Sequence, residues 1–186
     1  MPKQFSIRLM LTVVTVLCIA LSAWVVPAER QRRAVTAIQA VGGKVEYVSN
    51  DAPAAETFLR RWLPQDYFDD VDTVLLGRRT RVTHATLPHL EALPRLRRLW
   101  LDDPLITDAG LVHLQGLTHL EELGLNDTRV TDAGLAHLRG LRNLRILWLI
   151  RTQVARDGVA RLQKALPGCM IHSDARPSLP FGPQPR

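Results

Sequence analysis

Three histidines recur at one spacing in the sequence and suggest metal chemistry. His89, His113 and His137 lie 24 residues apart, and imidazole nitrogens are common zinc ligands. The pattern around them places one histidine on each of three neighbouring helices. Packed helices lie about 8–10 Å apart, whereas histidines that share a zinc ion must each place a nitrogen about 2.0–2.1 Å from it. The sequence therefore predicts solvated histidines on a helix face and no metal site.

Two aspartates at the same spacing suggest general acid–base chemistry. Asp108 and Asp132 each stand where a helix is predicted to begin, and there a carboxylate accepts hydrogen bonds from the first free amide groups. We interpret both as helix-start residues. The sequence contains no G-x-S-x-G, H-E-x-x-H, C-x-x-C or phosphate-binding loop. We expect a protein that is not an enzyme and that uses no cofactor.

A column of aromatic residues favours binding over catalysis. Leu76, Trp100, Gly124 and Trp148 follow one another at 24-residue steps, and each falls between two apolar residues of a predicted strand. Side chains alternate along a strand, so this column faces away from the core. Trp is enriched at binding hot spots, so the two rings could form an exposed platform. Alternatively, the rings lie flat over aliphatic neighbours or are covered by a terminal cap.

Two polar columns are predicted to flank the aromatic one. The first contains Val74, Arg98, Glu122 and Ile146, and the second contains Arg78, Asp102, Asn126 and Ile150. The candidate binding residues are therefore Trp100, Trp148, Arg98, Glu122, Asp102 and Asn126.

All of these columns arise from an internal repeat. Residues 96–119 and 120–143 match over their whole length, and the same columns continue on both sides at 24-residue steps, so that 72–164 contains four repeats, the outer two degenerate. In each unit LxxLxL predicts a strand and TDAGLxHLxGL predicts a helix. A unit this short cannot bury its apolar stripe alone, so the units must stack.

The pattern LxxLxLxxTxVTDAGLxHL resembles the leucine-rich-repeat family, in the subtype whose units run into an I-T-D-x-G-L helix start. The resemblance covers about residues 72–163 and implies an α/β solenoid, with a short curved parallel sheet and helices on its convex face. The chain departs from the subtype at Thr80, Thr128 and Thr152, where Cys or Asn is usual. A ladder between turns would then run through hydroxyl groups, interrupted at Pro104. The whole chain also resembles membrane-associated repeat proteins of planctomycete bacteria, a group without an established activity.

The segments that flank the repeats are predicted to cap them. Residues 34–71 form the N-terminal cap, with a helix at 33–41 ended by Gly42 and Gly43, a strand at 45–48 and a short helix at 57–63. Residues 165–173 form the C-terminal cap, with a last strand at 169–171. Residues 174–186 contain Pro177, Pro180, Pro183 and Pro185, and we expect a disordered tail there.

The N-terminal region predicts a membrane anchor. Residues 9–26 carry no charge, after a short tail at 1–8 and before a basic juxtamembrane linker at 27–33. Eighteen helical residues span about 27 Å, which is enough to cross a bilayer. The competing interpretation is a cleaved signal peptide. We predict a single-pass signal-anchor with the folded domain outside the cytoplasm.

The charge distribution argues against a nucleic-acid partner. Of the net charge of +6, residues 1–33 carry +4 and residues 174–186 carry +1, whereas nucleic-acid binders cluster basic side chains on the folded surface. Cys18 and Cys169 lie in different segments, so no disulfide between them is expected. The sequence thus predicts a membrane-anchored, non-catalytic protein–protein interaction module. The alternative is a structural or envelope protein that self-associates through its repeat ends.

Overall fold

The computed structural model describes residues 7–48, 69–77, 80, 82 and 85–175. Six strands are present in this part of the chain: β1 (Lys44–Val48), β2 (Asp70–Gly77), β3 (Arg98–Asp102), β4 (Glu122–Gly124), β5 (Ile146–Leu149) and β6 (Met170–Ser173). The α-helices of the same ranges are α1 (Ile7–Ala40), α2 (Asp108–Leu111) and α3 (Arg156–Ala165). Shorter 3-10 helices cover Leu87–Ala92, Val112–Leu114 and Gly134–Leu138.

The strands form one sheet in chain order, from β1 to β6. β1 is antiparallel to β2, and every later pair is parallel. Parallel neighbours need a crossover connection, and here the short helices make it, one after each strand of the repeats. The predicted α/β repeat fold with a parallel sheet is confirmed.

The core lies between the sheet and the helices. In the repeats it consists largely of the inward apolar residues that the repeat columns predict. In the two central units these are fully enclosed: Leu99, Leu101, Leu111, Leu114, Leu123, Leu125 and Leu138 each have a relative exposure of 0%. A 24-residue unit leaves room for only one or two turns between strands. The tighter 3-10 coil, which is used in short pieces, therefore replaces much of the predicted α-helix.

The register of the first unit differs from the prediction by one residue. Leu75 pairs with Trp100, and Leu76 pairs with Leu101, so Leu76 faces the core, with 0% exposure. The predicted place of Leu76 and Val74 in the outward columns is therefore wrong. Six positions separate Leu76 from Val82, whereas five separate Leu101 from the equivalent Ile106. One extra residue in this connection shifts the first strand.

The C-terminal half of α1 covers the N-terminal end of the array. Ala34, Val35 and Ile38 are buried there, and the helix contacts the 3-10 helix Leu87–Ala92. Gly42 adopts φ 86°, and the amide of Gly43 donates to the carbonyl of Ile38 at 2.9 Å, so the helix ends at the two glycines, as expected.

α1 runs without a break through the segments expected to be an anchor and a linker, with Pro27 inside it. Within the described ranges, no helix combines the length and the apolarity needed to cross a membrane, so the transmembrane helix expected at residues 9–26 is not supported. The helix expected at 57–63, Arg78, and the tail from residue 176 onward lie outside the described residues.

Candidate functional site

One row of residues crosses the face of the sheet that lies opposite the helices, which we call the open face. Strand pairing aligns Lys44, Leu75, Trp100, Gly124, Trp148 and His172 across all six strands. In the repeats, the neighbours of these residues along each strand are buried apolar residues, leucines in every case except Val74. The alternation of a strand therefore places this row on the open face.

Three rings of this row contact one another, and we call them the aromatic row: Trp100, Trp148 and His172. The centroids of the two indoles lie 4.5 Å apart, with 33° between the ring planes. The His172 ring stacks on Trp148 at 6.0 Å and 17°. Both tryptophans are half-buried and His172 is exposed. The row is therefore a continuous aromatic surface that reaches solvent.

Gly124 makes this contact possible. It is the residue of β4 that lies between the two tryptophans, and a Cβ atom built there would overlap Cε3 of Trp100 and lie 2.9 Å from Cζ3. The Trp100 ring therefore occupies the space above the glycine. The two tryptophans meet across the strand that separates them.

Arg98 and Glu122 lie beside the aromatic row, paired with each other on β3 and β4. The Arg98 guanidinium donates from Nη2 and Nε to Oδ2 of Asp72, at 2.6 and 3.1 Å. This hydrogen-bonded carboxylate raises the pKa of Arg98 above its ordinary value. The Asp72 side chain is only 8% exposed, so Arg98 neutralises a buried charge as well as facing solvent.

Asp102 and Asn126 belong to a ladder between successive units. Oδ1 of Asp102 accepts the Asn126 amide at 2.9 Å, and Oδ1 of Asn126 accepts the Ile150 amide at 3.0 Å. At the next step Asp174 accepts the amide of Arg151 at 3.0 Å. These side chains hold the turns that follow the strands together. They therefore contribute to the architecture beside the candidate surface, in addition to any contact with a ligand.

Asp108 and Asp132 do not cap their own helices, contrary to the prediction. Oδ1 of Asp108 accepts the Thr131 amide at 2.7 Å, and Oδ2 accepts the Thr131 hydroxyl at 2.6 Å. Oδ1 of Asp132 likewise accepts the Ala155 amide at 2.8 Å. Each carboxylate lies beside the next unit, where a backbone amide needs a hydrogen-bond acceptor. The aspartates therefore tie neighbouring units together.

The threonine column does not form the predicted ladder either. The hydroxyls of Thr80, Thr128 and Thr152 each donate to the carbonyl three residues earlier, at 2.6, 2.7 and 3.0 Å. Threonine hydroxyls often bond to nearby backbone carbonyls, and these three donate within their own turns, so they do not link successive units. At the Pro104 exception, Oδ1 of Asp103 accepts the amide of Leu105 instead.

The histidine column makes contacts between helices. His113 Nδ1 lies 2.6 Å from a carboxylate oxygen of Glu91, and His137 Nδ1 lies 2.5 Å from the amide nitrogen of Gln115. Each of these partners is 22 residues earlier, in the preceding unit, and His89 is exposed. Among the residues that the structure describes, no group of three or more His, Cys, Asp or Glu side chains could hold a metal ion.

Two residues of the site were not identified from the sequence. His172 follows Trp148 by one 24-residue step, so extending the aromatic column into the last strand would have found it. Asp72 could not have been found in this way, because the one-residue shift places β2 outside the 24-residue spacing.

No protein-family model and no curated protein matches the chain. Among solved structures it is similar to a leucine-rich-repeat protein of Leptospira interrogans (23% identity, TM-score 0.38), with 45% of this chain and 21% of that chain covered. An internalin of Listeria monocytogenes has 20% identity and a TM-score of 0.34, with coverages of 53% and 32%. The leucine-rich-repeat ectodomain of an Arabidopsis thaliana receptor kinase has 15% identity and a TM-score of 0.43, with coverages of 80% and 94%. The chain thus spans less than a third of the length of the first two proteins.

Proposed function

We propose that this chain is a protein-interaction module of the leucine-rich-repeat type, which binds a protein partner through the aromatic row. The contact between Trp100 and Trp148 across Gly124 is the observation that carries the proposal. Large aromatic side chains on an open sheet face bury much apolar area when a partner covers them. Trp is also the residue type most enriched at the centres of interfaces.

The aromatic row is ordered before any partner arrives. Trp148 is held between the Trp100 and His172 rings, and the ladder through Asp102 and Asn126 fixes the turns beside it. Binding orders flexible side chains at a cost of about 0.5–1.5 kcal/mol for each one immobilised. A surface whose rings already contact one another avoids much of that cost.

The charges next to the row favour a polar rim. Arg98 is paired with Asp72, so a partner would not have to neutralise an isolated guanidinium. Glu122 is half-buried and is aligned with Arg98 on the neighbouring strand, beside the aromatic row. An apolar centre with a polar surround is the usual anatomy of a protein interface.

The cavity at the N-terminal ends of the strands is a weaker candidate. It has a volume of about 350 Å³ and is lined by Asp70, Asp72, Arg95 and Arg97, among others. Arg95 bonds Asp70 at 2.6 Å, and Arg97 lies 3.9 Å from Asp72. Its charges are largely paired within the protein and leave little to attract a charged small molecule.

The test compares the partners retained by the wild-type chain with those retained by Trp148→Ala and Val112→Ala variants. Val112 is 45% exposed on the helix side, so its variant controls for the loss of an exposed apolar side chain elsewhere. We expect a partner that Trp148→Ala loses and Val112→Ala keeps. With that partner purified, Trp148→Ala should raise the Kd about tenfold or more, as a hot spot does. Equal binding by both variants would exclude the aromatic row as the interface.

Self-association through the repeat ends gives a different result in solution. The interaction module predicts that the protein sediments as a monomer over a wide concentration range. Assembly that grows with concentration and is unaffected by Trp148→Ala would favour a structural role instead.

Attachment to a membrane through residues 9–26, with the repeats outside the cytoplasm, is part of the same proposal and is supported by the sequence of that segment. Extraction of cell membranes at alkaline pH, together with protease treatment of intact cells, tests it. A chain that stays with the membrane and is digested from outside supports the proposal. Release into the supernatant contradicts the membrane attachment. Protection from the protease contradicts the location outside the cytoplasm.

A further inference from the structure

The two end strands of the sheet, β1 and β6, differ in how open they are to a further strand. β1 carries the charged residues Lys44 and Glu46, and its register with β2 shifts between Glu46 and Tyr47. Charged side chains and irregular pairing are means by which proteins keep an edge strand from pairing with another chain. The β1 edge is therefore protected.

β6 has none of these protections. It reads Met-Ile-His-Ser, without lysine, acidic residue or proline, and it pairs with β5 in regular register over all four residues. Asp174 follows directly, but its carboxylate already accepts the amide of Arg151 at 3.0 Å. Within the described residues no strand lies beyond β6, so this edge of the sheet is suited to strand pairing.

The outer edge of β6 presents the backbone groups of Ile171 and Ser173. The amide of Met170 donates to the carbonyl of Arg145 at 2.7 Å, so the backbone groups of Met170, and of His172 two residues later, point towards β5. The intervening residues of the strand then point their N–H and C=O groups to the other side. Donors and acceptors in this alternation match the backbone of an extended chain.

Apolar side chains lie on both faces of this edge. On the open face Met170 is 61% exposed, and His172 is the last ring of the aromatic row. On the other face Ile171 is half-buried and packs against the core. An added strand would lie about 4.8 Å from β6, so an aromatic residue in register with His172 would extend the row by one ring.

We propose that the partner contributes an extended segment, which pairs with β6 as a seventh strand and places an aromatic side chain beside His172. This inference rests on the proposed function, because it names the kind of segment that the aromatic row receives. Backbone hydrogen bonds hold such a segment, and its alternate side chains determine which sequences fit. The partner class is a protein with an extended segment of alternating large apolar residues and no proline where it faces β6.

The first test needs no ligand and measures amide hydrogen exchange in the full-length chain by NMR. The amides of Met170 and His172, which point towards β5, should exchange about tenfold or more slowly than those of Ile171 and Ser173. Equal protection of all four amides in dilute protein would mean that another part of the chain already occupies the edge, and the proposal is wrong. Protection of Ile171 and Ser173 that grows with protein concentration would identify a second copy as the occupant and overturn it equally.

The second test adds a synthetic peptide that alternates threonine with large apolar residues, Thr-Val-Thr-Trp-Thr-Val-Thr. At saturation it should slow the exchange of the Ile171 and Ser173 amides about tenfold. The matched control is the same peptide with every backbone nitrogen methylated, which cannot donate hydrogen bonds and should leave the exchange unchanged. No protection by the unmodified peptide at millimolar concentration would contradict strand addition.

A pair of variants at Ser173 isolates the outward hydrogen bond. Ser173→Pro removes the N–H group that points away from β5, and proline is tolerated at such positions of edge strands. Ser173→Ala keeps that group and is the control. The Kd of the peptide should rise about fivefold in Ser173→Pro, as expected for one lost hydrogen bond, and stay within about twofold of the wild type in Ser173→Ala. The same Kd in both variants would overturn the inference.

The proposed function fails separately from this inference. It is excluded if the partner retained by the wild-type chain is retained equally by Trp148→Ala. It stands, and strand addition alone is overturned, if that partner depends on Trp148 but leaves the amides of Ile171 and Ser173 in fast exchange.

Discussion

The indole ring of Trp100 lies over Gly124, the residue of the next strand with which it is paired. The site of an added Cβ at Gly124 is only 2.9 Å from Cζ3 and 3.0 Å from Cδ2 of the ring. Trp148, on the other side of that strand, completes the contact at 4.5 Å between ring centroids. The aromatic row thus depends on the absence of a side chain in the middle strand.

Gly124→Ala should therefore displace the Trp100 ring and separate the two indoles. Real Cβ atoms do not approach neighbouring atoms this closely, so the ring or the strand must move. We expect a loss of about 1–3 kcal/mol in the free energy of unfolding, which is the usual cost of overpacking. The near-ultraviolet circular dichroism of the tryptophans should change as well. Urea unfolding and the native spectrum measure the two effects.

Gly140→Ala provides the control, because an added Cβ there meets nothing within 4 Å. Its free energy of unfolding should stay within about 0.5 kcal/mol of the wild type, as for other open surface positions. If Gly124→Ala behaves in the same way and keeps the native spectrum, the close packing of Trp100 on β4 is wrong.

Asn126→Ala should lower the free energy of unfolding by more than it lowers the free energy of partner binding. The side-chain oxygen of Asn126 accepts the Ile150 amide, and removal of an acceptor leaves a part-buried donor unsatisfied at a cost of about 1–3 kcal/mol. Asn126→Asp keeps an acceptor at the same position and should lose less than half as much. Urea unfolding of the three proteins measures the difference. Equal losses in the two variants would contradict the ladder.

Much of the fold follows from the sequence because each repeat column has a physical cause. Inward leucines must be buried, and a 24-residue unit must stack on its neighbours to bury them. The wrong prediction concerns one place in the chain, the register of the first strand of the repeats. One additional residue between Leu76 and Val82 shifts the first strand by one position, and a fixed column spacing cannot show where such a residue is accommodated.

The candidate site was predictable only in part for a similar reason. The alternation of a strand places Trp100 and Trp148 on one face, but it does not show that Gly124 lets their rings meet. The aspartates of the repeats were assigned to their own helices because a capping role is local and common. Their actual partners are amides 23 residues away, and a pattern within one unit has no information about contacts between units.

Gly134→Ala should be destabilising, and the presence of Asp108 should determine by how much. A Cβ at Gly134 would overlap Oδ1 of Asp108 and lie 3.0 Å from its Cγ. That oxygen already accepts the amide of Thr131, so it cannot move without losing a hydrogen bond between units. We expect a loss of about 1–3 kcal/mol in the free energy of unfolding.

A double-mutant cycle checks this contact. In an Asp108→Ala background the carboxylate is gone, so the additional loss caused by Gly134→Ala should be smaller by about 1 kcal/mol or more. Gly116→Ala, at a position with nothing within 4 Å of an added Cβ, should cost the same in both backgrounds. Strict additivity of Asp108→Ala and Gly134→Ala would mean that the two residues do not touch.

Cys169 should be a slow nucleophile in the folded protein. Its side chain lies in the C-terminal part of the core, and the residue is only 4% exposed. Burial disfavours the thiolate and raises the pKa of Cys169 from 9.0 to about 11. The thiolate is the form that reacts with alkylating reagents, so at pH 9 its fraction should be about fifty times lower in the folded chain than in the unfolded one. Because the folded pKa is the higher one, the stabilisation from the buried thiol is complete below pH 9 and is lost as the pH rises through 11.

In a Cys18→Ser variant, iodoacetamide should modify Cys169 at pH 9 at least fiftyfold more slowly in buffer than in concentrated urea. Native and unfolded rates within threefold of each other would show that Cys169 is not buried in the C-terminal core.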